Sequence, residues 1–97
     1  MLQGRPVSGK RAQRLVEQGA LLIDTRDPVS YRDGTLPGAI NMHLRQVSSL
    51  FKHPKNTKMV IFGNTADDTT THAIVNYLRQ YGFTEVFTMN TKEDWNV

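Results

Sequence analysis

The chain has 97 residues, 38% hydrophobic and 22% charged, a balance that fits one domain with a modest core and argues against disorder and collagen-like repeats. It contains no cysteine, which excludes disulfide scaffolds, thiolate metal sites, iron–sulfur ligation and every mechanism with a thiolate nucleophile. Twelve Lys and Arg against nine Asp and Glu leave a formal charge of +3, but the densest basic group (Arg5, Lys10, Arg11, Arg14) holds no aromatic residue to stack a base, so nucleic acid is not an expected partner. No apolar run approaches the ~20 residues that span a bilayer, and residues 1–10 lack the apolar stretch of a secretory signal. The expectation is a soluble, cytoplasmic chain with no membrane partner.

In chain order, Ser8 is a suitable N-cap for a first helix running to Gln18, with Gly19 as its stop. Ala12, Leu15 and Val16 give that helix one apolar face. Ala20 to Ile23 then forms a continuous apolar run ending in Asp24, the pattern of a strand buried on both sides in a parallel sheet. Asp27 and Pro28 open a helical turn through Tyr31, proline sitting where its missing N–H costs nothing. Gly34, Pro37 and Gly38 mark a tight loop before a brief strand, Ala39 to Asn41.

Leu44, Val47, Leu50 and Phe51 carry helical spacing, and the polar stretch from His53 to Thr57 reads as a surface loop. Met59 to Phe62 is a second continuous apolar strand, stopping at Gly63. Thr69 to Tyr81 is the strongest helix, with Ala73, Ile74, Tyr77 and Leu78 on one side and Gly82 at its end. Val86 to Thr88 is the last strand. Strands alternating with helices at this spacing predict right-handed crossovers and an α/β fold with a mostly parallel sheet.

The order Leu22-Ile23-Asp24-Thr25-Arg26-Asp27, then Tyr31, then Gly34-Thr35-Leu36-Pro37-Gly38-Ala39-Ile40-Asn41 resembles the rhodanese-like family. The match continues through the strand Met59–Phe62, the helix ending in Tyr81-Gly82-Phe83, and the closing strand. We read residues 1–97 as one such domain, with the resemblance strongest over residues 20–95. It implies a twisted, mainly parallel five-stranded sheet flanked by helices on both faces, with the ligand site at the carboxyl ends of the strands.

In active relatives a cysteine follows the central strand and begins a loop whose backbone N–H groups curl around a sulfur or phosphorus anion. That cysteine receives sulfane sulfur as a persulfide, or attacks phosphorus in related phosphatases. Here the corresponding position falls at Gly63 or Asn64, and neither can do so. The loop Gly63-Asn64-Thr65-Ala66-Asp67-Asp68-Thr69 is also one or two residues longer than a typical sulfurtransferase loop. Thr35 replaces the family's histidine, and Thr91-Lys92 replaces a glycine pair.

Asp67 and Asp68 precede the Thr69 helix, where a carboxylate can accept from the free N–H groups of the first turn and repel an incoming anion. His43, His53 and His72 show no metal-ligand spacing. The expected pocket is the loop from Gly63 through Thr70, supported by Asp24, Arg26, Thr35 and His43, with Asn90 as a neighbour. No catalytic residue, metal or cofactor is expected. The resemblance and its departures together imply a catalytically inactive rhodanese-like domain that binds or regulates. Its partner would be a protein or a small ligand at residues 63–70. The alternatives are a sulfurtransferase-related or hydrolytic enzyme using carboxylate or threonine hydroxyl chemistry in place of cysteine, and a sensor of small sulfur or phosphate anions without turnover.

Overall fold

The computed structural model describes residues 4–65 and 67–96. The elements run β1 (Arg5–Pro6), α1 (Gly9–Glu17), β2 (Leu21–Asp24), α2 (Pro28–Asp33), β3 (Ile40–Asn41), a 3₁₀ helix (Leu44–Leu50), β4 (Met59–Phe62), α3 (Thr69–Gln80), β5 (Val86–Met89) and a closing 3₁₀ helix (Lys92–Asn96). The five strands form one sheet in the order β1-β5-β4-β2-β3. Every pairing in it is parallel, so the expected mostly parallel sheet is wholly so. All strand carboxyl ends therefore share one edge.

The continuous apolar strands follow from two-sided burial. In β4, Met59 and Ile61 join the core under α3 and the first 3₁₀ helix, while Val60 and Phe62 face the core under α1 and Trp95. All four are fully buried, and each such side chain stabilises the fold by about 1.5–3 kcal/mol relative to exposure. Ile23 and Leu22 divide in the same way on β2.

The helix boundaries lie close to the sequence reading. Ser8 caps α1 by accepting from the Arg11 N–H at 3.2 Å. Asp27 caps α2, which continues two residues past Tyr31 to Asp33. The segment at Leu44–Leu50 is a 3₁₀ rather than an α-helix. Leu44, Val47 and Leu50 recur every three residues, which aligns them on one face at three residues per turn. Val47 and Leu50 are buried there, and the following Phe51 stacks on Tyr81 with ring centroids 3.7 Å apart.

Two elements have no counterpart among the strands and helices read from the residues. β1 is an exposed edge strand held by pairing to β5, with Arg5 bonded to Glu85 at 2.7 Å and lying over the Phe87 ring. The closing 3₁₀ helix packs on the start of α1. There Gly9 is obligatory, because a Cβ would collide with the Asp94 carbonyl. The Gln13 amide donates to the Trp95 carbonyl across the same contact. No described helix is long and apolar enough to cross a membrane.

Candidate functional site

The carboxyl edge of the sheet begins with a buried ion pair. Asp24, the last residue of β2, is fully buried. It accepts from the Arg26 N–H at 2.9 Å, from Arg26 Nε at 3.1 Å and from Nη2 at 2.9 Å. Thr35 donates its hydroxyl to Asp24 Oδ2 at 2.7 Å. Arg26 Nη2 also reaches the Gly34 carbonyl at 2.6 Å, where Lys92 Nζ arrives at 3.1 Å. The hydrogen bond to Asp24 raises the guanidinium's pKa; burial opposes it, and the attraction of Asp24 adds to it. Arg26 is thus a permanent cation, locked by a carboxylate that accepts from three of its N–H groups and from the Thr35 hydroxyl.

The loop after β4 is built differently. Asp68 is the N-cap of α3, and its Oδ1 accepts from the Thr70 and Thr71 N–H groups at 3.0 and 3.1 Å. Its Oδ2 turns back across the loop, accepting from the Asn64 N–H at 3.0 Å and more weakly from Asn64 Nδ2 at 3.4 Å. Burial acts to raise the Asp68 pKa, but the hydrogen bonds from Asn64, Thr71 and Thr70 outweigh it and hold the carboxyl below its ordinary value.

Gly63 lies directly beneath this carboxylate. A Cβ there would approach Asp68 Oδ2 to 2.8 Å and Asp68 Cγ to 2.7 Å, and the Thr71 hydroxyl more closely still. Thr71 cannot swing away freely, since it is buried and its hydroxyl shares a 2.8 Å hydrogen bond with Thr25. Backbone donors at the strand end and the helix start therefore converge on an anion, and that anion is the chain's own side chain.

A third feature of this edge is an open hollow of about 400 Å³ lined by Arg26, Pro28, Asn41, His43, Arg45 and Gln46. Asn41 donates both amide hydrogens to the Asp24 and Arg26 carbonyls, at 3.0 and 2.8 Å, which pins β3 to the loop after β2. His43 precedes the 3₁₀ helix and accepts from the Arg45 N–H through Nδ1 at 3.3 Å, while Gln46 Oε1 accepts from the His43 N–H at 2.8 Å. Both contacts satisfy donors that the helix start leaves free.

A family model for the rhodanese-like domain matches residues 8–91. The chain belongs to the rhodanese-like domain family. Among curated relatives, thiosulfate sulfurtransferase GlpE of Pseudomonas syringae pv. syringae is 23% identical over 94 residues, covering 93% of this chain and 84% of that protein. The crystal structure of the Alr3790 protein of Anabaena superposes with a TM-score of 0.77 at 24% identity, covering 93% of this chain and 84% of its own. The single-domain sulfurtransferase RDL2 of Saccharomyces cerevisiae gives 0.72 at 17% identity, covering 96% and 89%. These structures share the fold, and this rhodanese-like domain has no cysteine with which to carry a persulfide.

The residues expected to form one pocket fall into separate groups in this rhodanese-like domain. Gly63, Asn64, Asp68, Thr70 and Thr71 gather around the Asp68 carboxylate. Thr65 supports the turn by accepting from the Asp68 N–H, while Asp67 and Thr69 are exposed and Ala66 lies outside the described residues. Asp24, Arg26 and Thr35 form the ion-pair network. His43 joins Arg26 at the hollow, which none of the described residues among 63–70 lines. Asn90 is exposed just past β5.

Arg45 and Gln46 were not among the residues singled out from sequence. The only hint available was their place just after His43, because nothing in a polar pair on a short helix distinguishes a cavity wall from a solvated face. Among the described residues no group of three His, Cys, Asp or Glu could hold a metal ion.

Proposed function

We propose that this chain is a rhodanese-like domain without sulfurtransferase activity, serving as a binding or regulatory module at the carboxyl edge of its sheet. The observation that carries this reading is the Asp68 carboxylate seated on the loop's own N–H donors over Gly63. A thiosulfate anion approaching that loop meets a fixed negative charge and donors already engaged. Restoring a side chain at Gly63 alone meets the carboxylate as well. The partner would be a protein or a small ligand, and a cytoplasmic place of action belongs to the same proposal.

Hydrolysis by an acidic base at this loop has less support. Asp68 accepts hydrogen bonds on both oxygens, and a carboxyl held below its ordinary pKa is a weak base. A thiosulfate:cyanide sulfurtransferase assay tests the proposal, thiosulfate being the substrate in the name of the GlpE relative. The expected rate equals that of a heat-denatured control. Turnover proportional to the concentration of folded protein would end the non-catalytic reading.

A further inference from the structure

The hollow beside β3 holds a set of donors that the fold does not consume. A backbone N–H can only donate, so His43 Nδ1, which accepts from Arg45, carries no proton, and in the neutral ring the proton sits on Nε2. By the same argument Gln46 presents its oxygen to the His43 N–H and keeps both amide hydrogens for other partners. Among the described residues, Arg45 makes no ion pair. Of the three acids that precede it most closely, Asp24 is engaged by Arg26 and Thr35, Asp27 by the Ser30 N–H and hydroxyl at 2.9 Å each, and Asp33 lies beside Arg32 at 3.9 Å. Among the described residues no carboxylate lines the hollow.

We infer that this hollow is a binding site for a small organic oxyanion, held by the Arg45 guanidinium, the His43 Nε2–H and the Gln46 amide. Its volume of about 400 Å³ lies within the usual range for small-molecule sites, roughly 300–1,000 Å³. Arg26 and Asn41 form a rigid wall, held in place by their hydrogen bonds to Asp24, Gly34 and the loop carbonyls. The ligand is an oxyanion because guanidinium, imidazole N–H and primary amide are all donors, and a group with several acceptor oxygens satisfies them together. A phosphate ester and a carboxylate share this chemistry. The inference rests on the reading of the domain as one that binds rather than turns over.

The test is an amide and imidazole chemical-shift titration of isotope-labelled protein with inorganic phosphate, glycerol 3-phosphate, malonate and thiosulfate, against sodium chloride at matched ionic strength. The expected result is saturable shifts at residues 41–46 and at the His43 ring with at least one oxyanion, and none with chloride. Preference between glycerol 3-phosphate and malonate separates phosphate from carboxylate. The Arg45→Gln variant should weaken the response about tenfold or more, as for loss of a charged hydrogen bond, with its unfolding midpoint unchanged.

Linear, unsaturable shifts, or no shifts at residues 41–46, would overturn the site while leaving the filled loop intact. Shifts confined to residues 64–71 would overturn it too, and would also show that an anion displaces Asp68. The sulfurtransferase assay separately decides the broader reading, so failure of one is distinguishable from failure of the other.

Discussion

The loop after β4 and the hollow beside β3 lie at the same edge of the sheet, and both are rich in hydrogen-bond donors. They differ in who supplies the negative charge. In the loop, Asp68 is tethered within four residues of Asn64 and two of Thr70, so its carboxylate reaches the donors at negligible entropic cost. At the hollow, the nearby carboxylate of Asp24 is buried below the surface and committed to Arg26. The donors of His43, Arg45 and Gln46 remain in front of it, facing open space. Donor-rich backbone at a strand end thus identifies a ligand site only after the chain's own acceptors have been assigned.

The largest perturbation is expected beneath the hollow. Asp24→Ala strands the buried Arg26 guanidinium, and chemical denaturation should show a loss of about 3–5 kcal/mol, the cost of breaking a buried ion pair from one side. A loss below about 1 kcal/mol would mean that the pair does not organise this edge.

Next in size is Gly63→Ala, which forces a methyl group against Asp68 and Thr71 and should cost about 1–3 kcal/mol, as overpacking does. Combining it with Asp68→Ala should cost less than the sum of the two single changes, since one of the colliding groups is gone. Strict additivity in that cycle would show that the carboxylate does not occupy the space above Gly63.

Asp68→Ala alone removes the α3 cap and should cost about 1–2 kcal/mol. Its pH dependence sharpens the comparison. The folded-state pKa of Asp68 is held below the ordinary carboxylate value, so its stabilisation is fully present above about pH 4 and declines as the pH falls through its own lower pKa. The stability difference between the natural chain and Asp68→Asn should therefore be constant near neutrality and shrink below about pH 4. A difference that grows on acidification would reverse the assigned sign. Asp68→Asn should also make the loop more receptive to phosphate than it is in the natural chain.

The smallest effect is expected at Arg45, which is exposed and outside the packed core. Arg45→Gln should change stability by less than about 0.5 kcal/mol. That near-silence in a melt, set beside a lost oxyanion response, is what separates a ligand-binding residue from a structural one such as Asp24.

Much of this was legible in the one-dimensional pattern. The two continuous apolar runs identify strands buried on both faces, and the Asp-x-Arg and Pro-Gly-Ala-Ile-Asn blocks carry the family resemblance. Ser8, Asp27 and Asp68 announce helix starts because capping acts over two or three residues and needs no tertiary partner. β1 was not legible: Arg5-Pro6 has no apolar alternation, and only its pairing with β5 makes it a strand. The 3₁₀ geometry at Leu44–Leu50 was concealed because spacings of three and four residues suit either helix over so short a stretch.

The substitutions away from the family pattern divide along the same line. Residue identities alone rule out thiolate chemistry, set the alternation of strands and helices, and place a carboxylate before α3. Those conclusions depend on residue identity and on interactions between near neighbours. What the departures accomplish depends on contacts between distant parts of the chain. Thr35 became a donor to Asp24 across 11 positions, and Lys92 reached the Gly34 carbonyl across 58. Gly63 came to lie against Thr71 and Asp68, while Arg45 and Gln46 joined Arg26 at one hollow. The reason is physical: each of these contacts depends on where the parallel sheet gathers its strand ends, and the crossovers that bring distant residues to that edge leave no periodic trace in the chain.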